Sequence, residues 1–96
     1  MAYTGNRNGR TVTFLSGVEA TGASSAFTPN LENLTFQVSG ITTATVKIQA
    51  SNDGTTYVDI GSVTASGPVA VTGSWRFVRA NVTAWTAGEV SVVGVI

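Results

Sequence analysis

The chain has 96 residues, of which 43% are hydrophobic and only 10% charged; five basic and five acidic residues leave a net charge of zero. It contains no cysteine and no histidine, which excludes disulfides and thiolate metal sites and removes the commonest general base and metal ligand. Neutral charge argues against nucleic acid as a partner. No apolar run approaches a membrane span, and the first residues, Met1 to Gly5, lack a signal-peptide pattern, so synthesis in a cytoplasm is expected.

A chain of this length forms one domain with a single core. Its charge content is far below the roughly 25% of an average soluble domain. A small neutral monomer has little colloidal protection, since a net charge of about 2 to 8 is usual in soluble designs. The expectation is that other subunits cover much of the surface, because interface cores are depleted of charge. The alternative is a surface kept soluble by serine and threonine hydroxyls.

In chain order, residues 1–10 read as a flexible arm. Asn6, Arg7, Asn8, Gly9 and Arg10 favour turns and bury little. Arg7 and Arg10 have no acidic neighbour in sequence, so they are candidate contacts to a partner's carboxylates. Residues 11–96 form the domain. Thr11 to Leu15 reads as a strand with Val12 and Phe14 on one face. Gly17 to Ala26 is small and weakly patterned, and reads as extended chain or a long loop. Thr28-Pro29-Asn30 is a turn.

Leu34, Phe36 and Val38 alternate with Thr35, Gln37 and Ser39, a strand that Gly40 is expected to close. Val46, Ile48 and Ala50 alternate with Lys47 and Gln49 in the same way. Ser51-Asn52-Asp53-Gly54 then breaks the pattern, and Asp-Gly suits a hairpin in which Gly54 takes a positive φ and Asp53 bonds its own backbone. Val58 and Ile60 resume the apolar face against Tyr57 and Asp59. Gly61 to Gly67 reads as a loop, followed by a short strand at Val69 and Val71; Pro68 is allowed at its start.

Trp75 to Val82 carries Phe77 on one face and Val78, Ala80 and Val82 on the other. Thr83 to Gly88 reads as a hairpin loop holding Trp85. Val90 to Ile96 is apolar on both faces, with Val90 and Val92 against Val93 and Val95, as in a strand covered twice. No helix is predicted. Valine and threonine fit a pleated surface, and seven or eight short strands with frequent turns indicate an antiparallel β-sandwich or jelly roll.

The residues announce no reaction. The carboxylates are Glu19, Glu32, Asp53, Asp59 and Glu89. Asp53 is accounted for by its turn and Asp59 by the wet face of its strand. Aligning Gly54 with the glycine of a calcium loop puts Gln49 and Ile60 at ligand positions, where both are wrong. No Gly-rich phosphate loop occurs. No catalytic, cofactor-binding or metal-ligating residue is assigned, no cofactor is expected, and the chain is not expected to be an enzyme.

The segments S-N-D-G-T-T-Y-V-D-I (Ser51 to Ile60), W-R-F-V-R-A-N-V-T (Trp75 to Thr83) and E-V-S-V-V-G-V-I (Glu89 to Ile96), together with A-T-G-A-S-S-A-F (Ala20 to Phe27) and L-T-F-Q-V-S-G (Leu34 to Gly40), resemble small β-domain virion proteins of tailed bacteriophages, of the capsid decoration or cement type. The resemblance covers most of the chain after about residue 11. It implies a structural protein on the virion surface, bound to the major capsid protein and tying capsid subunits together. It also implies a symmetric oligomer, with a trimer favoured because cement proteins commonly sit at local three-fold positions. Candidate interface residues are Arg7, Arg10, Trp85, Val93 and Val95. The same hairpin and Arg-bearing strand also look like the galactose-binding jelly rolls of discoidin type, which are larger and whose binding-loop residues have no match here. The alternative function is therefore a carbohydrate-binding module of a phage tail or fibre, with a glycan as partner and Tyr57, Trp75 and Trp85 as candidate stacking residues.

Overall fold

The structure, a computed structural model, describes residues 9–96. Most of the predicted arm, including Arg7, lies outside the described residues. Six strands are present: β1 (Thr11–Val18), β2 (Gly22–Ala23), β3 (Asn33–Ser51), β4 (Val58–Val63), β5 (Gly67–Thr72) and β6 (Phe77–Val95). Every pairing is antiparallel, and the described residues contain no helix. All six strands join one hydrogen-bonded sheet, in the order β1-β6-β3-β4, with β2 on β6 and β5 on β3.

The strand count differs from the seven or eight short strands expected because β3 and β6 each run for 19 residues. A straight strand of that length would span about 60 Å, more than the molecule's longest dimension of 44 Å. The pair is therefore bent. Four register shifts between β3 and β6 fall between Ser39 and Val46, and bulges of this kind bend a strand and sharpen its twist. Gly40 (φ 78°) and Gly88 (φ 115°) sit inside the bend. A Cβ on Gly40 would collide with the Glu89 carbonyl, and one on Gly88 with the Gly40 carbonyl. Gly40 thus lets two backbones approach where it was expected to end a strand. Thr83 to Gly88, expected as a hairpin loop, is likewise continuous β6, with Trp85 opposite Ala44.

The bend gives the sheet two ends. At the first, β5, the start of β3, the end of β6 and β1 lie side by side. At the second, β4, the end of β3, the start of β6 and β2 do. Alternation lapses at the bulges and resumes beyond them in the same phase, so the same face is inward at both ends. Leu34, Phe36 and Val38 are buried at the first end, and Val46, Ile48 and Ala50 at the second; on β6, Val78, Ala80, Val82, Val90 and Val92 are buried. The two ends share this core. A Cβ on Gly61 of β4 would lie 2.8 Å from Val69 Cγ1 of β5. Phe14 of β1 meets Phe27 edge-on at 5.1 Å, and Phe27 bridges to Val78 at the second end. Phe14 also meets Phe36 at 5.4 Å. Such aromatic pairs add about 0.5–1.5 kcal/mol beyond the area they bury.

β4 departs from simple alternation. A bulge places Gly61 opposite Ile48 and Asp59 opposite Gln49, so Gly61 takes an inner position beside Ile60, which is half-buried against the core as expected. Val58, expected on the apolar face, pairs with Ala50 at the open end of the sheet and stays 47% exposed.

Candidate functional site

The loop 52–57 between β3 and β4 is held by one buried hydroxyl. Ser51, 2% exposed, donates to Asp53 Oδ1 at 2.8 Å and accepts from the backbone N–H of Gly54 at 2.9 Å. Asp53 Oδ1 also accepts from the N–H groups of Thr55 (2.8 Å) and Thr56 (2.9 Å). These bonds, led by Thr55 and Thr56 and then Ser51, hold the Asp53 carboxyl at about 2, below its ordinary 3.8. Gly54 takes the expected positive φ, 77°. Asn52 Oδ1 accepts from the Arg76 N–H at 3.0 Å, tying the loop to the chain entering β6.

The outer face of the second end carries a polar network across three strands. Gln49 of β3 is its hub. Its Oε1 accepts from Arg79 Nε (2.9 Å) and Asn81 Nδ2 (3.2 Å), and its Nε2 donates to Asp59 Oδ1 (2.9 Å). Lys47 Nζ pairs with Asp59 Oδ2 at 3.0 Å. The Gln49 and Lys47 contacts lower the Asp59 pKa, in that order of weight. The Arg79 guanidinium lies 3.9 Å from the centre of the Tyr57 ring, a cation–π contact. Each charge in this network already has a partner within the chain.

The outer face of the first end is its opposite. The register places Thr13, Val93, Gln37 and Pro68 in one row and Thr11, Val95, Thr35 and Ala70 in the next. None of these residues is charged. Val95 is 38% exposed, and a shallow groove of about 520 Å³ runs between Val93, Val95, Thr11, Thr35 and Pro68.

The structure brings Val93 and Val95 together on that face. Arg10 lies at the start of β1, where its Nη2 donates to the Thr28 carbonyl at 2.9 Å and its carbonyl accepts from the Ile96 N–H. Trp85 stands at the bend, eight residues before Val93; it is half-buried against the core, and its Nε1 donates to the Gly88 carbonyl at 3.1 Å. Trp75 packs against the core, with a Nε1 that has no hydrogen-bond partner among the described residues. Sequence reasoning passed over Ser51 and Gln49. Ser51 reads as one turn former among four, and the three partners of Gln49 come from strands 10, 30 and 32 residues away, which a local pattern does not register.

No family model matches the chain, and no curated protein matches it. Among solved structures, the SPBc2 prophage-derived protein YomS is similar with a TM-score of 0.82, over 99% of this chain and 97% of that one, at 16% sequence identity. At that identity the likeness establishes a shared fold over nearly the whole of both chains.

Proposed function

We propose that this chain is a structural virion protein of a tailed phage, a capsid decoration or cement protein that binds the major capsid protein on the head surface as a homo-oligomer, with a trimer favoured. In this reading the bent sheet acts as a two-layer sandwich, it performs no enzymatic step, and it is made in the host cytoplasm before joining the particle. The observation that carries the reading is the uncharged outer face around Val93 and Val95. A surface without charges loses no ion hydration when another protein covers it, and charge depletion marks the cores of protein interfaces. The fold shared with a prophage-derived protein supports a phage source.

Two measurements test this. Mass spectrometry of purified particles from a host carrying the gene should find the chain at a fixed copy number; its absence from particles would overturn the proposal. Val95→Lys places a charge in the centre of the uncharged face. It should shift the melting temperature of the isolated chain by no more than about 2–4 °C, since exposed substitutions usually cost within about 0.5 kcal/mol, and it should sharply reduce occupancy on particles.

A further inference from the structure

The bend between the two ends holds a cleft of about 300 Å³ lined by Thr42, Thr43, Thr45, Thr64, Thr86 and Trp85, with Ala44 and Ala84 between them. Its construction is unusual for a sheet. In a regular strand only alternate residues share a face, yet four consecutive residues, Thr42 to Ala44 and Thr45, line this one cleft. The register shifts on either side of Thr43 and after Thr45 make that possible. Bulges re-aim side chains in this way next to binding sites.

The chemistry of the lining is narrow. No charged residue contributes to it. None of the five threonine hydroxyls has a protein hydrogen-bond partner among the described residues, so each can donate and accept toward an occupant. Trp85 supplies the one aromatic side chain of the lining, half-buried against the core, and its own N–H is already bound to the Gly88 carbonyl. An occupant therefore meets one aromatic side chain and threonines whose hydroxyls are unpaired within the described residues, and finds no counter-charge. A pyranose ring fits that description. One of its faces presents C–H groups that pack on an aromatic ring, and its rim presents hydroxyls that pair with hydroxyls.

We propose that the cleft at the bend is a binding site for one pyranose unit of a neutral glycan, stacked on Trp85 and hydrogen-bonded by the surrounding threonines. The other aromatics are less suited to this. Arg79 occupies the Tyr57 ring, and the Trp75 nitrogen is sealed from solvent. This inference goes beyond the structural role proposed above and uses a different surface, since Val93 and Val95 do not line the cleft.

The test is a titration of the ¹⁵N-labelled chain with glucose, galactose and N-acetylglucosamine in turn. At least one should shift the amides of Thr42 to Thr45, Thr64 and Thr86 together with the Trp85 indole, with a millimolar Kd that is insensitive to added salt. Thr43→Val and Thr86→Val keep the β-branched shape and remove only a hydroxyl. Each should weaken that binding about three- to tenfold at an unchanged melting temperature. The proposal is overturned if none of the three sugars shifts these signals, if the shifts gather at Tyr57 or Trp75, or if both valine variants bind as the parent does. Because Val95→Lys leaves the cleft intact, loss of particle occupancy in that variant with sugar binding retained separates the two proposals.

Discussion

The two ends of the β3/β6 pair are built from the same two strands with the same alternation, yet their outer faces carry opposite chemistry. At one end Gln49 links Asp59, Arg79 and Asn81, and Lys47 closes the row. At the other, the matching outer positions are Thr35, Gln37, Val93 and Val95, with no charge among them. The core treats both ends alike: Phe36 and Ile48 are equally buried. What differs is the use of the outer face. Where charges occur they are satisfied internally, so that face makes little demand on a partner. The uncharged face loses no ion hydration when dehydrated, and in the proposed function it is the surface that a partner covers.

The most severe way to break the comparison is to break the bend that joins the two ends. Gly40→Val adds a β-branched side chain at a φ of 78° and drives it into the Glu89 carbonyl. Strain at such a φ costs about 1–3 kcal/mol by itself, and the backbone collision adds to it. The expected outcome is a loss of about 3 kcal/mol or more in urea denaturation. A midpoint equal to that of the parent would mean that β3 and β6 do not cross closely at this position.

A smaller effect sharpens the contrast between the faces. Gln49→Ala and Gln37→Ala remove the same side chain from outer positions of the same strand. The first leaves Arg79, Asn81 and Asp59 without their common partner, and should cost about 1 kcal/mol. The second removes a side chain with no side-chain hydrogen bond among the described residues, and should stay within about 0.5 kcal/mol. Equal denaturation midpoints for the two variants would remove the distinction.

The smallest effect concerns pH. Asp53 has a folded pKa of about 2, below its ordinary 3.8. A depressed folded pKa contributes stability that is complete above the unfolded value and is lost as pH falls through the folded one. The 52–57 loop should therefore weaken between about pH 4 and pH 2. In Asp53→Asn the melting temperature should fall less across that window than in the parent. An identical acid profile would show that another carboxyl governs it.

Features that depend on neighbours two residues apart are legible in the chain before it folds. The alternation at Leu34 to Ser39 and at Val46 to Ala50 marked the buried faces, because a pleated strand turns successive side chains to opposite sides whatever its partner. Asp53 and Gly54 marked the turn, because positive φ and side-chain-to-backbone bonding are local properties. How far each strand runs depends instead on its pairing partner. Gly40 and the Thr83 to Gly88 stretch look like stops on a local reading, yet the backbone continues through them because the opposing strand supplies partners and, at the glycines, needs the space that a Cβ would fill. The hub role of Gln49 and the gathering of threonines around Trp85 arise in the same way. Both join residues from separate strands at a register set by the bulges, and register is a property of pairing that no single strand contains.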